Sequence, residues 1–375
     1  MAVPGYWCWM GPGLNPEGGI YVAEILHGSR DMTNFSIHGL IKFKVEGTNK
    51  RHLGYLNKDY ACFKTNEPIE PDLDIVVSDF TPDNDDCYVV NHKYWVKEDY
   101  LFYTHRHKVV RWSVCLRDLD GKRTTVYFSG TKFSEVFLRD YIIEPLINLK
   151  LNSKGFSMLH ASGIAVDKKG FIFPACKGVG KTSTLLNLIG RGTFIGNDKV
   201  ILSSDGRVYS YPSFVHIFGY NLRDVPQAFE SLTLKQRIDL KIKNCLSVLS
   251  GGYVTLPLDV NPQELWGKPC ASYPLQSLIL LTKTNRDNVK IAECHDKSQL
   301  IKRLAIINGY EMQHFQEILA AYSYVYPGSH ESIEHYLASF QSNLAQALGK
   351  VLCYEVEVPS KYTADTYSSI DKLLK

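Results

Sequence analysis

The chain has 375 residues, 45% of them hydrophobic and 22% charged, with 42 Lys+Arg against 39 Asp+Glu and a formal net charge of +3. That composition fits a soluble globular protein, and the length exceeds one ordinary core, so two domains are expected. The near-neutral balance argues against binding nucleic acid through bulk electrostatics, and no apolar run approaches the roughly 18–20 residues of a membrane helix.

The first residues lack the basic and apolar regions of a secretory signal. Nine cysteines lie scattered with no C-x-x-C pair, which suits reduced thiols better than a disulfide framework. These features predict a cytoplasmic protein that binds neither membrane nor nucleic acid.

Residues 1–30 are rich in Gly, Pro and aromatics and read as an irregular start with a short segment at 20–26. From 35 to 130 the signals are β: runs at 37–45, 88–90, 94–96, 100–103 and 109–116, then a turn at Asp118-Leu119-Asp120-Gly121 and a return at 124–128. A helix at 135–149 leads out of this part. The reading is a β-rich N-terminal domain over 1–150, built from hairpins, with substrate recognition or contact in a homo-oligomer as its open roles.

From 151 to 375 strands and helices alternate, the mark of an α/β unit in a chain that is α+β overall. Strands are expected at 158–166, 170–173, 193–195, 199–202, 207–217, 275–282, 289–293 and 351–358. Helices are expected at 234–249, 297–325, 330–349 and from 363.

The strand at 170–173 runs into Pro174-Ala175-Cys176-Lys177-Gly178-Val179-Gly180-Lys181-Thr182-Ser183, and Leu185, Leu186 and Ile189 follow at helical spacing before Gly190-Arg191-Gly192. A glycine-bearing loop between strand and helix turns backbone N–H groups toward an anion. Gly178, Val179, Gly180, Lys181, Thr182 and Ser183 are the candidate phosphate binders. Lys181 supplies a point charge for the outer phosphates, and the Thr182 hydroxyl suits Mg²⁺. Against G-x-x-x-x-G-K-[ST], Ala175 replaces the first glycine. Asn197-Asp198 closes the next strand, where a carboxylate can serve Mg²⁺ or take an acceptor's proton. His160 stands on the strand before the loop hairpin, within reach of a terminal phosphate or of that carboxylate.

Leu159-His160-Ala161-Ser162, the loop at 173–183 and Gly192-Thr193-Phe194-Ile195-Gly196-Asn197-Asp198 together resemble the HPr kinase/phosphorylase-like P-loop kinases, which share a catalytic fold with phosphoenolpyruvate carboxykinases. The likeness covers residues 155–220 and weakens through 275–282; no motif of it falls in 1–150. It implies a phosphoenolpyruvate carboxykinase-like P-loop domain in which Gly178, Gly180 and Lys181 hold ATP phosphates, Thr182 and Asp198 serve Mg²⁺, and Asp198 is the base. Asn197 stands where the family has a first acidic residue. The implied reaction is transfer of the γ-phosphoryl group to a hydroxyl of a protein, peptide or small molecule. The alternative is a nucleotide-binding regulator or NTPase without transfer.

Other signals read as ordinary surface. His105-Arg106-His107 is a solvated strand face, Asp83-Asn84-Asp85-Asp86 a turn, and Lys235, Arg237, Lys241 and Lys243 the polar face of an amphipathic helix. Arg191 and Arg223 are candidates for charge stabilisation near the phosphates. Cys176, beside Lys177 and a helix start, reads as oxidation-sensitive rather than catalytic.

Overall fold

The computed structural model describes residues 21–22, 31–253, 255–268, 272–329 and 332–374, without the side chains of residues 222–224 and 227. The Gly- and aromatic-rich start and most of the segment at 20–26 lie outside the described residues, as does the side chain of Arg223. The architecture is α+β. Two nine-stranded sheets dominate it, one from the first third of the chain and one from the rest.

In the first sheet the strands run, edge to edge, Lys64–Thr65, Asp31–Ile37, Ile41–Gly47, Leu73–Val77, Thr124–Gly130, Val110–Arg117, Tyr100–His107, Tyr94–Lys97 and Tyr88–Val90. The run expected at 37–45 is in fact a hairpin. Three residues connect its strands: His38 and Gly39 both take positive φ, 52° and 75°, and the Leu40 N–H donates to the Ile37 carbonyl at 2.8 Å. The sheet is not built from hairpins alone. Leu73–Val77 runs parallel to both its neighbours, and a parallel return needs a crossover.

That crossover holds the helix Lys50–Asp59, which the β reading of 35–130 did not include. Asn49 starts it by accepting from the backbone N–H of His52, and His52, Leu53 and Leu56 point inward. The expected helix at 135–149 is a longer unit. Glu135–Phe137 passes through a wide turn at Leu138–Ile143 into Glu144–Ser153.

The second sheet runs Phe156–Leu159, Val200–Ser203, Arg207–Tyr209, Ser272–Thr284, Lys169–Pro174, Ala161–Val166 and Thr193–Gly196; Leu352–Pro359 adds parallel to Ser272–Thr284 and carries Lys290–Glu293. It is covered on both faces, so its central strands read as continuous apolar runs. Ile172 and Leu278 face a core that continues to Phe35, Ile75 and Val126 of the first sheet. Phe171, Phe173 and Ile279 face a separate cluster with Leu185, Val215 and Ile370.

The stretch expected as one helix over 297–325 breaks at Met312 into Lys297–Glu311 and Gln313–Val325. The helix Leu234–Leu249 forms as expected, but only Leu240 is buried among its described residues, and Leu234, Ile238, Ile242, Leu246 and Leu249 stay exposed. Among the described residues no helix is long and apolar enough to cross a membrane.

Candidate functional site

The segment expected as one strand at 158–166 is interrupted at His160, and its partner is interrupted opposite. Leu159 pairs with Val200 and, further along, Gly163 pairs with Gly196, so three residues on each strand, 160–162 and 197–199, separate the paired stretches. Gly196 makes the bend possible, because a β-carbon there would lie 2.1 Å from the Lys199 carbonyl oxygen. This opening lifts Asn197 and Asp198 out of the ladder. On the other side, Ala161 pairs with Pro174, the last residue before the glycine loop. Sheet register therefore brings His160, Asp198 and the loop to one place.

The loop climbs from Lys169–Pro174 and ends in the short helix Lys181–Asn187. Ala175 is fully buried and packs with Phe173, Val179 and Leu185. Its methyl group fills core where the motif's glycine would leave a gap, which accounts for the departure. Cys176, Lys177 and Gly178 are exposed. Gly178 has φ +78° and open space around it. Gly180 has φ +124°, and a β-carbon there would meet the Tyr362 ring at 2.7 Å. Only glycine fits that position. Val179 is buried and its N–H donates to the Cys176 carbonyl at 3.4 Å. Ser183 is also buried, and its hydroxyl accepts from Asn221 Nδ2 at 3.1 Å. Thr182 is half-buried at the helix start.

Lys181 folds back over the loop. Its Nζ donates to the Ala175 carbonyl at 2.8 Å, the Cys176 carbonyl at 3.3 Å and His160 Nε2 at 2.8 Å. Burial lowers its pKa, while Asp198 and Glu311 favour its charge. His160 is pushed down to about 2, by burial first and then by Lys181 and Lys199, with the main chain at Asp198 opposing. It is a neutral acceptor for the ammonium, so Nε2 carries the lone pair and Nδ1 the proton.

Asp198 is half-buried, and its Oδ2 accepts from Asn197 Nδ2 at 3.2 Å. Asn197 is itself 1% exposed, with Oδ1 buried and no hydrogen-bond partner for it among the described residues. Its amide orients Asp198.

Glu311 escaped the sequence reading. Its Oε1 lies 3.4 Å from His160 Nε2. Burial raises its pKa, with Lys199 and Lys181 opposing and Asp198 adding to the rise. It sits 113 residues beyond Asp198 in the chain, and nothing local marks it except the break in the helical pattern beside it. Arg191 is not part of the cluster. Past the far end of the loop helix, its Nη2 binds both oxygens of Asp371 at 2.8 and 2.7 Å.

Thr182 and Asp198 offer a hydroxyl and a carboxylate, the hard oxygen donors that suit Mg²⁺. Lys177, Lys181 and the loop's backbone suit phosphate oxygens.

No family model matches the chain, and no curated protein does. Among solved structures it is similar to the Hpr(Ser) kinase/phosphatase from Coxiella burnetii, with 14% sequence identity, 42% of this chain and 99% of that chain covered, and a TM-score of 0.23. At that identity and TM-score, the residues themselves carry the functional reading.

Proposed function

We propose that this chain is an ATP-dependent kinase of the HPr-kinase-like type, which transfers the γ-phosphoryl group to a hydroxyl of a protein, peptide or small molecule. The observation that supports this reading best is the meeting of Lys181 and His160 at 2.8 Å beside Asp198, in an opening of the ladder next to the glycine loop. In this reading residues 151–375 form a phosphoenolpyruvate carboxykinase-like P-loop domain behind an N-terminal domain of 1–150.

Gly178, Val179, Gly180, Lys181, Thr182 and Ser183 hold the nucleotide phosphates. The acceptor oxygen bonds to the γ-phosphorus, the bond from that phosphorus to the bridging oxygen breaks, ADP leaves, and the hydroxyl proton passes to Asp198. The Lys181 ammonium turns from the loop carbonyls to the charge that builds on the transferring group. His160 holds Lys181 and the Asp198 segment in register. Thr182 and Asp198 hold Mg²⁺, which, when bound, neutralises phosphate charge.

One observation favours the alternative of a nucleotide-binding regulator without transfer. Asn197 stands where a second carboxylate would be, and its amide occupies one Asp198 oxygen. Incubation with γ-labelled ATP and candidate hydroxyl acceptors separates the readings. Label on an acceptor supports the kinase, and tight ATP binding with neither transfer nor hydrolysis supports the regulator. Lys181→Ala is expected to cut transfer about 10²–10³-fold, the usual scale for losing one preorganised charge donor. A fully active Lys181→Ala enzyme would overturn the role given to Lys181 and the loop, and would exclude the regulator.

A further inference from the structure

We infer that Glu311 is a positioning residue of this site, its charge fixing where the Lys181 ammonium rests against His160. The inference deepens the phosphate-site reading and rests on it. Glu311 ends the helix Lys297–Glu311, whose Leu300, Ile301, Leu304 and Ile307 are buried in the core shared by the two sheets. The next residue, Met312, is 3% exposed, and its sulfur accepts from Asn148 Nδ2 at 3.0 Å. The main chain under Glu311 is therefore fixed by packing.

Past the break, Glu317 binds Lys93 Nζ at 3.0 Å and the Tyr94 hydroxyl at 3.1 Å on the first sheet. The carboxylate of Glu311 thus reaches the site from a corner anchored on both sides, and it retains 36% of its side-chain exposure.

At the site, Glu311 Oε1 and Lys181 Nζ approach the same imidazole nitrogen, at 3.4 and 2.8 Å. A lone pair on Nε2 repels a carboxylate, so ammonium charge holds Glu311 there, with Lys199 and Lys181 both contributing. The three groups form an ordered cluster of ammonium, neutral imidazole and carboxylate. Glu311 offsets the Lys181 charge before phosphate arrives. Arriving phosphate has to draw the ammonium away from this counter-charge. Removing it should tighten nucleotide binding while leaving Lys181 less well placed for transfer. A residue with a purely structural role would instead weaken binding and transfer together.

The experiment compares wild type, Glu311→Gln and Glu311→Asp by calorimetric ATP affinity, transfer rate at saturating ATP, and ¹⁵N resonances of the His160 ring in nucleotide-free protein. For Glu311→Gln the expected result is ATP binding about twofold to fivefold tighter, in line with loss of one partly screened charge, a transfer rate at least about fivefold lower, and a shifted His160 Nε2 signal. Glu311→Asp should recover part of each change. Unchanged ATP affinity and an unchanged Nε2 signal in Glu311→Gln would overturn the inference. Wild type that binds no ATP would overturn the phosphate-site reading instead, and the His160 signal then decides the inference alone. If Glu311→Gln does not fold, Glu311→Asp takes its place, with an unmoved His160 signal counting against the inference.

Discussion

Asp198 and Lys199 are neighbours in the chain, yet they serve two very different polar clusters. Lys199 turns to Glu144, pairing with Oε2 at 2.8 Å, while the hydroxyls of Tyr60 and Tyr211 donate to Oε1 at 3.1 and 3.0 Å. Tyr60, Glu144 and Tyr211 are each 5% exposed or less. Burial works against the Lys199 ammonium, but Glu144 and Asp140 together outweigh it and the pKa rises. Here each charge meets its opposite and the hydroxyls share the carboxylate, which is how a buried network contributes to a fixed structure.

Asp198 turns to the other cluster. There Lys181 is held by carbonyls and a neutral imidazole, its pKa is lowered, and the loop residues Cys176 to Gly178 lie open to solvent. Charge that the protein leaves incompletely matched beside an open loop is charge available to a ligand. The contrast separates a cluster that ties the helix Glu144–Ser153 to the second sheet from one poised to bind.

The strongest way to break this comparison is Glu144→Ala. It leaves the half-buried Lys199 ammonium without its partner and strips two buried tyrosine hydroxyls of their acceptor. Losses of about 3–5 kcal/mol are usual when one member of a buried pair is removed. Urea denaturation should show a loss of that order. A loss under about 1 kcal/mol would mean that this cluster is not structural. Lys181→Ala is the mirror test. It removes the buried ammonium rather than abandoning it, so its folding cost should fall well below that of Glu144→Ala while transfer collapses.

A smaller effect comes from His160 and carries a definite sign. Its folded-state pKa is pushed down to about 2 from an ordinary value of 6.5. Below pH 6.5 the unfolded chain binds a proton that the folded protein refuses, so stability falls as pH falls through that range. Between pH 7 and pH 5 one such group contributes a loss of about 2 kcal/mol, from about 1.4 kcal/mol per pH unit. His160→Gln keeps a polar side chain that does not titrate. The difference between its urea midpoint and that of wild type should therefore narrow from pH 7 to pH 5. A gap that stays constant would show that the imidazole is not held neutral by its surroundings.

Much of this was legible in the chain, and what was not has physical causes. The loop, its flanking strand and helix, and the helix Leu234–Leu249 follow from periodicity and glycine placement, which are local. The interruption at His160 was hidden because Met158 to Val166 is apolar enough to read as one strand, and the break exists only where a second strand breaks opposite it. The helix Lys50–Asp59 was hidden because its inward residues include a histidine and few apolar groups. Glu311 was invisible for a related reason. A glutamate at a helix end is ordinary, and only tertiary packing brings it to His160. Conversely, Ala175 stood out as a defect in the motif, and its burial shows a core position where a methyl group belongs.

The smallest effect tests the edge of the site. Arg191 follows the loop helix that Lys181 begins, and its position after that helix made it a candidate for the phosphates. It is paired instead with Asp371 of the helix Ala364–Asp371, with 56% of its own side chain exposed. An exposed pair with both oxygens engaged contributes up to about 1 kcal/mol. Arg191→Ala should therefore lower the urea midpoint slightly, and high salt should mask most of that change. ATP affinity and transfer should match wild type within about twofold, because the helix stands between this pair and the loop. A tenfold loss of ATP affinity in Arg191→Ala, with folding intact, would bring Arg191 into the binding cluster and redraw the line between charge that holds the fold and charge left for a ligand.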